Sequence, residues 1–158
     1  MTQRNDVPCI LPLLPRHIPQ IARIEQQCFS DPWSEALLKS ELQAPLARYF
    51  VYEEEGQVIG YIGTRMIVDT CEIANVAVSP AHRRRGIALA LYRALETECR
   101  RRGITRLDLE VRESNLGARA FYRFCGFVPV GKRRNYYESP REDAVLMSRL
   151  LGEEEEQP

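Results

Sequence analysis

The fold is decided at residues 76–88, which read Val76-Ala77-Val78-Ser79-Pro80-Ala81-His82-Arg83-Arg84-Arg85-Gly86-Ile87-Ala88. The apolar, largely β-branched residues up to Val78 predict a short strand, and the Ser-Pro pair after it predicts a break. Apolar residues then recur at every fourth position, as on one face of a helix: Ile87, Leu91, Leu95 and Cys99. A loop with one glycine and three consecutive arginines therefore leads directly into a helix N-terminus.

This loop has the chemistry of a pyrophosphate-binding site. A helix N-terminus presents unpaired N–H groups and the positive end of the helix dipole. Small residues such as Gly86 and Ala88 let a phosphate approach the backbone closely. The alternative is a solvated basic loop, because runs of charge usually lie on the surface. The loop lacks the Gly-Lys-Ser/Thr of a P-loop and the three glycines of a dinucleotide fingerprint, so the rest of the chain has to decide its meaning.

The composition is that of one globular domain. The chain has 158 residues, of which 44% are hydrophobic and 28% are charged. Its net charge of zero argues against a protein that coats nucleic acid. No apolar run is long enough to span a membrane, and the polar N-terminus lacks the apolar core of a signal peptide. We therefore expect a cytoplasmic protein, with one domain over residues 1–152 and a disordered acidic tail over residues 153–158.

The cysteines predict neither a metal site nor a disulfide framework. The chain has five of them, an odd number, at wide spacing and without a Cys-x-x-Cys motif. Most are expected to be small buried hydrophobes in a reducing compartment. A nucleophilic cysteine paired with His17 or His82 is a minor alternative.

The remaining sequence predicts strands that alternate with helices. Apolar runs predict strands over residues 7–14, 48–54, 58–67, 70–78, 104–112, 127–130 and 144–150. Helical spacing predicts helices over residues 18–28, 35–43 and 87–102, with a further one between Ser114 and Gly126.

Several details of these elements follow from single residues. Prolines 8 and 12 place the first strand at a sheet edge. Ser34 and Ser114 are the expected N-caps of the second and fourth helices. In the second helix the leucines at positions 37, 38 and 42 are expected to face inward. Residues 132–143 are interpreted as a polar excursion between the last two strands.

Four residues outside the loop are candidates for chemistry. Glu110 lies near the carboxyl end of a strand, where open α/β sheets bind ligands, and we expect it to face a cleft; the alternative is an exposed carboxylate on a solvated face. Asn115 and Tyr122 are seven residues apart and therefore share a helix face, as two residues of one binding site would. The alternative for Asn115 is that it only starts the helix, and the alternative for Tyr122 is that it only borders the core. Trp33 lies in the loop between two helices, where it is a candidate for ligand binding; the alternative is that its ring only fills the hydrophobic core.

Four blocks of the sequence carry a family resemblance. They are Arg83-x-x-Gly86-x-Ala88 after Val76-Ala77-Val78, Leu109-Glu110-Val111-Arg112-x-Ser114-Asn115-x-x-Ala118-x-x-x-Tyr122-x-x-x-Gly126-Phe127, Cys28-Phe29-Ser30-Asp31-Pro32-Trp33-Ser34, and Asn135-Tyr136-Tyr137 with Glu142-Asp143-Ala144. Together they resemble the GNAT N-acetyltransferase family, and within it the RimI-type N-terminal alanine acetyltransferases. The resemblance covers nearly the whole chain apart from its tails. It implies a mixed, mainly antiparallel α/β (α+β) sheet that is splayed at its centre and has helices on both faces.

The resemblance also implies a cofactor and site residues. Acetyl-CoA would be bound, without a metal, by Val76, Ala77, Val78, Arg83, Arg84, Arg85, Gly86, Ile87, Ala88 and Asn115. Glu110 would accept a proton from the attacking amine, and Tyr122 would donate one to the leaving thiolate. Trp33, Tyr136 and Tyr137 would line the groove for the acceptor.

The implied acceptor is the N-terminal alanine of a small-subunit ribosomal protein. Other protein N-termini, a lysine or a small amine remain as alternatives within the family, because acceptor identity lies in loops. A non-catalytic module that binds CoA or the ribosome is the alternative from another class. Direct binding of nucleic acid is not expected, because no aromatic stacking motif accompanies the arginines, and the oligomeric state is left open.

Overall fold

In a computed structural model, which describes residues 9–152, the chain alternates strands and helices much as the sequence predicts. The strands are β1 (Cys9–Pro12), β2 (Ala47–Glu54), β3 (Gln57–Ile67), β4 (Thr70–Val78), β5 (Arg106–Arg112), β6 (Val128–Glu138) and β7 (Arg141–Leu150). The α-helices are α1 (Ile18–Cys28), α2 (Glu35–Gln43), α3 (Ile87–Arg101) and α4 (Leu116–Phe124). Short 3-10 helices cover Pro15–His17 and Pro80–His82.

The hydrogen-bonded strand order is β1-β2-β3-β4-β5-β7-β6. The pairs β1–β2, β5–β7 and β6–β7 are antiparallel, whereas β4 and β5 are parallel. The parallel ladder runs from the pair Thr70–Arg106 to the pair Ile73–Leu109, and both strands continue past it. The predicted mixed, mainly antiparallel sheet with β1 at an edge is confirmed. The start of the first predicted strand and the acidic tail lie outside the described residues.

The described chain divides into two compact units. The first unit contains the residues up to Thr64 together with Asn75–Leu95, and the second contains Arg65–Ala74 together with the residues from Glu96 onward. The expectation of one domain over residues 1–152 stays a prediction.

The first unit has its own apolar core, to which α1, α2 and the strands contribute. Ile21, Leu38 and Val51 are completely buried in it. Ser34 caps α2 as predicted, because its hydroxyl accepts the backbone N–H of Leu37 at 3.1 Å. The prediction that Leu37 faces inward is wrong, since that side chain is 41% exposed. The nine-residue helix buries Leu38 and, one turn later, the glutamate at position 41 instead.

The second unit is built around β5, whose alternate residues Leu107, Leu109 and Val111 are buried as predicted. The helix α4 has Asn115 as its N-cap, and the Asn115 side-chain oxygen accepts the backbone N–H of residue 118 at 3.1 Å. The prediction that Ser114 is the cap is wrong, because the helix begins directly after Asn115, and the Ser114 hydroxyl and backbone N–H both donate to the Glu142 carboxylate instead.

The predicted polar excursion over residues 132–143 is also wrong. These residues extend β6 and β7 into a long hairpin that turns at Ser139-Pro140. Most residues of β6 are exposed, and β6 is the last strand in the hydrogen-bonded order. A strand that buries neither face needs no apolar alternation, so the pattern that reveals the other strands is missing here.

Candidate active site

In the first unit, the arginine-rich loop forms the predicted strand-loop-helix turn. The Ser79 backbone N–H donates to the Ile59 carbonyl at 2.8 Å, which ends β4 beside β3. Ile87 is 3% exposed and anchors the first turn of α3. Gly86 has a φ of +75°, and no atom lies within 4 Å of the position a Cβ would take. The backbone therefore turns into the helix with open space beside it, as a bound phosphate requires.

The three arginines of this loop are not equivalent. Arg85 forms an ion pair with Glu54 at 2.9 Å. Arg83 contacts the sulfur of Cys28 at 3.4 Å, and that thiol in turn donates to the Val78 carbonyl at 3.4 Å. All three side chains belong to exposed residues. Arg85 is thus partly neutralised, whereas Arg83 is tied to the end of β4.

In the second unit, Glu110 is held by two groups of β6. Arg133 forms an ion pair with its carboxylate at 3.1 Å, and 22% of the Glu110 side chain stays exposed. The Tyr136 hydroxyl donates to the same carboxylate, and this hydrogen bond raises the pKa of Tyr136 to about 12. The carboxylate is consequently fixed in place and still reachable from solvent, which a proton acceptor needs.

Tyr122 projects from α4 into an aromatic cluster of the second unit. Its ring lies edge-on to Phe121 at 5.3 Å and to Phe127 at 5.6 Å, and the residue is 8% exposed. Burial raises the pKa of Tyr122, with smaller contributions from Cys125 and Tyr137. An ordinary phenol, with a pKa of about 10, already keeps its proton at neutral pH, as a general acid must; the raised pKa makes Tyr122 a weaker proton donor than a free tyrosine.

The remaining predicted residues of the second unit lie around these two. Asn115 uses its side-chain oxygen to cap α4, so any contact with a cofactor depends on its amide nitrogen. Tyr137 lies under the Arg112 guanidinium, 4.2 Å from the ring centre, and edge-on to Tyr136 at 5.0 Å. Burial and the nearby Glu110 charge raise the pKa of Tyr137.

In the first unit, Trp33 is partly buried and joins the apolar core, as its core-filling alternative predicts. Its ring lies 6.4 Å from that of Tyr49, and its backbone N–H donates to the carboxylate of Glu25 at 3.2 Å. Sequence reasoning missed Glu25 altogether. Burial raises the pKa of Glu25 to about 7, despite the hydrogen bonds that favour the charged form. The available signal was a glutamate within the apolar stripe of α1, next to Ile24.

Residues 9–152 contain no group of three or more histidine, cysteine, aspartate or glutamate side chains placed to hold a metal ion. Within the same range, no helix has the length and apolar character needed to cross a membrane.

Comparison with known proteins gives consistent matches. The sequence profile of the acetyltransferase (GNAT) family matches residues 18–127. The ribosomal protein bS18-alanine N-acetyltransferase of Escherichia coli K12 is 36% identical over 133 residues, covering 83% of this chain and 89% of that protein. The N-alpha-acetyltransferase RimI of Mycobacterium tuberculosis is 37% identical over 138 residues, covering 84% and 85%. The crystal structure of the Escherichia coli ribosomal-protein-S18-alanine N-acetyltransferase superposes with a TM-score of 0.86 at 33% identity, covering 96% of this chain and 99% of that one.

Proposed function

This chain belongs to the acetyltransferase (GNAT) family, and we propose that it acetylates the N-terminal alanine of ribosomal protein bS18, with acetyl-CoA as donor. The observation that carries the acceptor is the 36% identity to the Escherichia coli enzyme of that name, which spans 83% of this chain and 89% of its relative. The chain is an acetyl-CoA-dependent N-acetyltransferase. Its cytoplasmic location is part of the same proposal.

The first unit supplies the residues that would hold the cofactor. Acetyl-CoA, when bound, supplies an activated acetyl thioester. The open space at Gly86 and the start of α3 fit a pyrophosphate, with the backbone of residues 84–88 as donor. The backbone of Val76–Val78 would pair with the extended arm of the cofactor. An N–H of Ala77 or Val78 would polarise the reacting carbonyl as an oxyanion donor does.

Glu110 is the proposed general base. A protein α-amine has a pKa of about 7.7–8.0, against about 10.4 for lysine, so a large fraction of it is already neutral at physiological pH. The amine still loses a proton as it forms the amide, and a carboxylate fixed by Arg133 and Tyr136 accepts it directly or through one water. A weak base is adequate for this acceptor and is poorly matched to lysine.

Tyr122 is the proposed general acid. A free thiol has a pKa of about 8.5, so a departing thiolate needs a proton donor that is itself protonated at neutral pH. The buried Tyr122 phenol meets that condition. Trp33, Tyr136 and Tyr137 are proposed to line the path of the acceptor peptide, and Asn115 to contact the cofactor.

A panel of acceptors tests the function. Release of the CoA thiol is followed with a peptide carrying the bS18 N-terminal sequence, with peptides that begin with other residues, and with small amines. We expect kcat/KM for the bS18 peptide to exceed that for each other acceptor by at least about tenfold. A small amine or an internal lysine that reacts faster would contradict the proposed acceptor. Binding of acetyl-CoA without thiol release from any acceptor would favour the non-catalytic alternative.

A further inference from the structure

Glu25 is a buried carboxylate to which the reaction above gives no role. It lies in α1, is completely buried, and accepts hydrogen bonds from three donors of the first unit. Its Oε1 atom accepts from the Tyr61 hydroxyl and from the Asn75 side-chain amide at 2.5 Å, and its Oε2 atom accepts from the Trp33 backbone N–H at 3.2 Å. None of these donors carries a charge. Burying a carboxylate among uncharged donors costs free energy of folding that an apolar side chain would not cost. The presence of Glu25 at this position therefore suggests a role other than stability.

The two oxygens of Glu25 join two different parts of the chain. Oε1 holds the residue of β4 that directly precedes Val76, the first of the three residues proposed to pair with the cofactor. Oε2 holds the connection between α1 and α2 at Trp33, the residue proposed to line the path of the acceptor. One side chain thus ties the acceptor loop to the strand that leads to the cofactor residues.

The side chain of Trp33 is held on the same support. The Tyr49 ring lies 6.4 Å from Trp33 and stacks on Tyr61 at 6.2 Å, almost parallel to it. Tyr49 reaches this position because residue 63 on β3 is glycine, where an added Cβ would lie 2.5 Å from the Tyr49 ring. Backbone and ring of Trp33 are therefore both fixed through Tyr61 and Glu25.

We propose that Glu25 is a positioning residue for the acceptor, which holds the Trp33 loop in its binding conformation through the Trp33 backbone. This inference rests on the proposed function, because it assumes that the loop contacts the acceptor peptide. Glutamine at position 25 has one acceptor oxygen where glutamate has two, and leucine has none, so the side chain can no longer accept from both the Trp33 backbone and the Tyr61–Asn75 pair as Glu25 does. The loop then samples other conformations, and the acceptor binds only the competent fraction.

Steady-state kinetics of Glu25→Gln and Glu25→Leu test the proposal at about pH 8.5, where the wild-type Glu25 carboxylate is ionised. We expect KM for the acceptor peptide to rise about tenfold, while kcat and KM for acetyl-CoA stay within about twofold of the wild-type values. Gln26→Ala, an exposed neighbour on the same helix, is the matched control and should change neither KM. An acceptor KM within twofold of wild type in both Glu25 variants would overturn the proposal. A loss of kcat with an unchanged acceptor KM would overturn it as well.

Trp33 fluorescence gives a second readout that does not depend on activity, because Trp33 is the one tryptophan of the sequence. Glu25 faces Tyr61 from β3, Asn75 from β4 and the Trp33 backbone, with Tyr49 of β2 behind Tyr61. Both tyrosines, and the Cys28 thiol of α1 that packs against the same core, are titratable side chains of this cluster. We expect the emission of the wild-type protein to change with a midpoint near pH 7 and to lose this transition in both Glu25 variants.

Asp31→Asn removes an exposed carboxylate from the same loop and should keep the transition. A transition near pH 7 that persists in both Glu25 variants would overturn the proposal. Failure of the proposed function is distinguishable from this result, because wild-type protein would then leave the bS18 peptide unmodified whatever its fluorescence does.

Discussion

The burial of Glu25 has a measurable consequence for stability. Its pKa is raised from 4.5 to about 7 in the folded protein, so the folded state binds this proton more tightly than the unfolded state. The contribution of Glu25 to stability is therefore fully present below pH 4.5, is lost as the pH rises through about 7, and is constant above that. At about 1.4 kcal/mol per pH unit, the interval from 4.5 to about 7 corresponds to a loss of about 3 kcal/mol.

Urea unfolding between pH 4 and pH 8 measures this loss when wild-type protein is compared with Glu25→Gln. Glutamine does not titrate, so the stability of the variant should fall by about 3 kcal/mol less than that of the wild-type protein over this range. The other titrating groups cancel in the difference between the two proteins. Two stability curves that run parallel from pH 4 to pH 8 would refute the reasoning. A difference between the two proteins in which the wild type loses stability only below pH 5 would refute it too, because that is the behaviour of a carboxylate whose pKa is lowered in the folded state.

Three further predictions concern the proposed catalytic and cofactor residues. Glu110→Gln should lower kcat about 10²- to 10⁴-fold, measured by thiol release, while Glu113→Gln, a half-buried carboxylate just after β5 that pairs with Lys132, should leave kcat unchanged. Tyr122→Phe should lower kcat over a similar range with a melting temperature close to wild type, because the ring contacts remain. Gly86→Ala should raise KM for acetyl-CoA several-fold, because alanine is strained at a φ of +75°; Gly117→Ala in α4 is its control.

Much of the fold follows from periodicity in the sequence. The apolar residues of α1 and β5 repeat at the intervals that their elements impose, and the structure buries Ile21 and Leu107 accordingly. The errors occur where burial does not select the residue type. The edge strand β6 is exposed along most of its length, so its polar residues look like a loop. Ser114 and Asn115 are both good caps, and only the tertiary bond from Ser114 to Glu142 decides between them.

The candidate site divides in the same way. Gly86 and Glu110 belong to short sequence motifs, so the sequence alone is enough to propose both as site residues. Glu25 becomes visible only in the folded chain, because its partners Tyr61 and Asn75 are 36 and 50 residues away in sequence. Likewise, the partner that fixes Glu110 is Arg133, on a strand that the sequence pattern does not reveal. Interactions between residues that are distant in sequence set the environment of each carboxylate. Composition and local spacing do not predict such interactions.

Mass spectrometry of the acetylated product decides whether the chain modifies an N-terminal amine. Acetyl-CoA is offered with a basic peptide that begins with alanine, and with the same peptide whose N-terminus is blocked and whose lysine is free. We expect one acetyl group on the first peptide, located on its α-amine by fragmentation, and none on the second. Acetylation of the blocked peptide at lysine, with the free α-amine left unmodified, would contradict the proposed function.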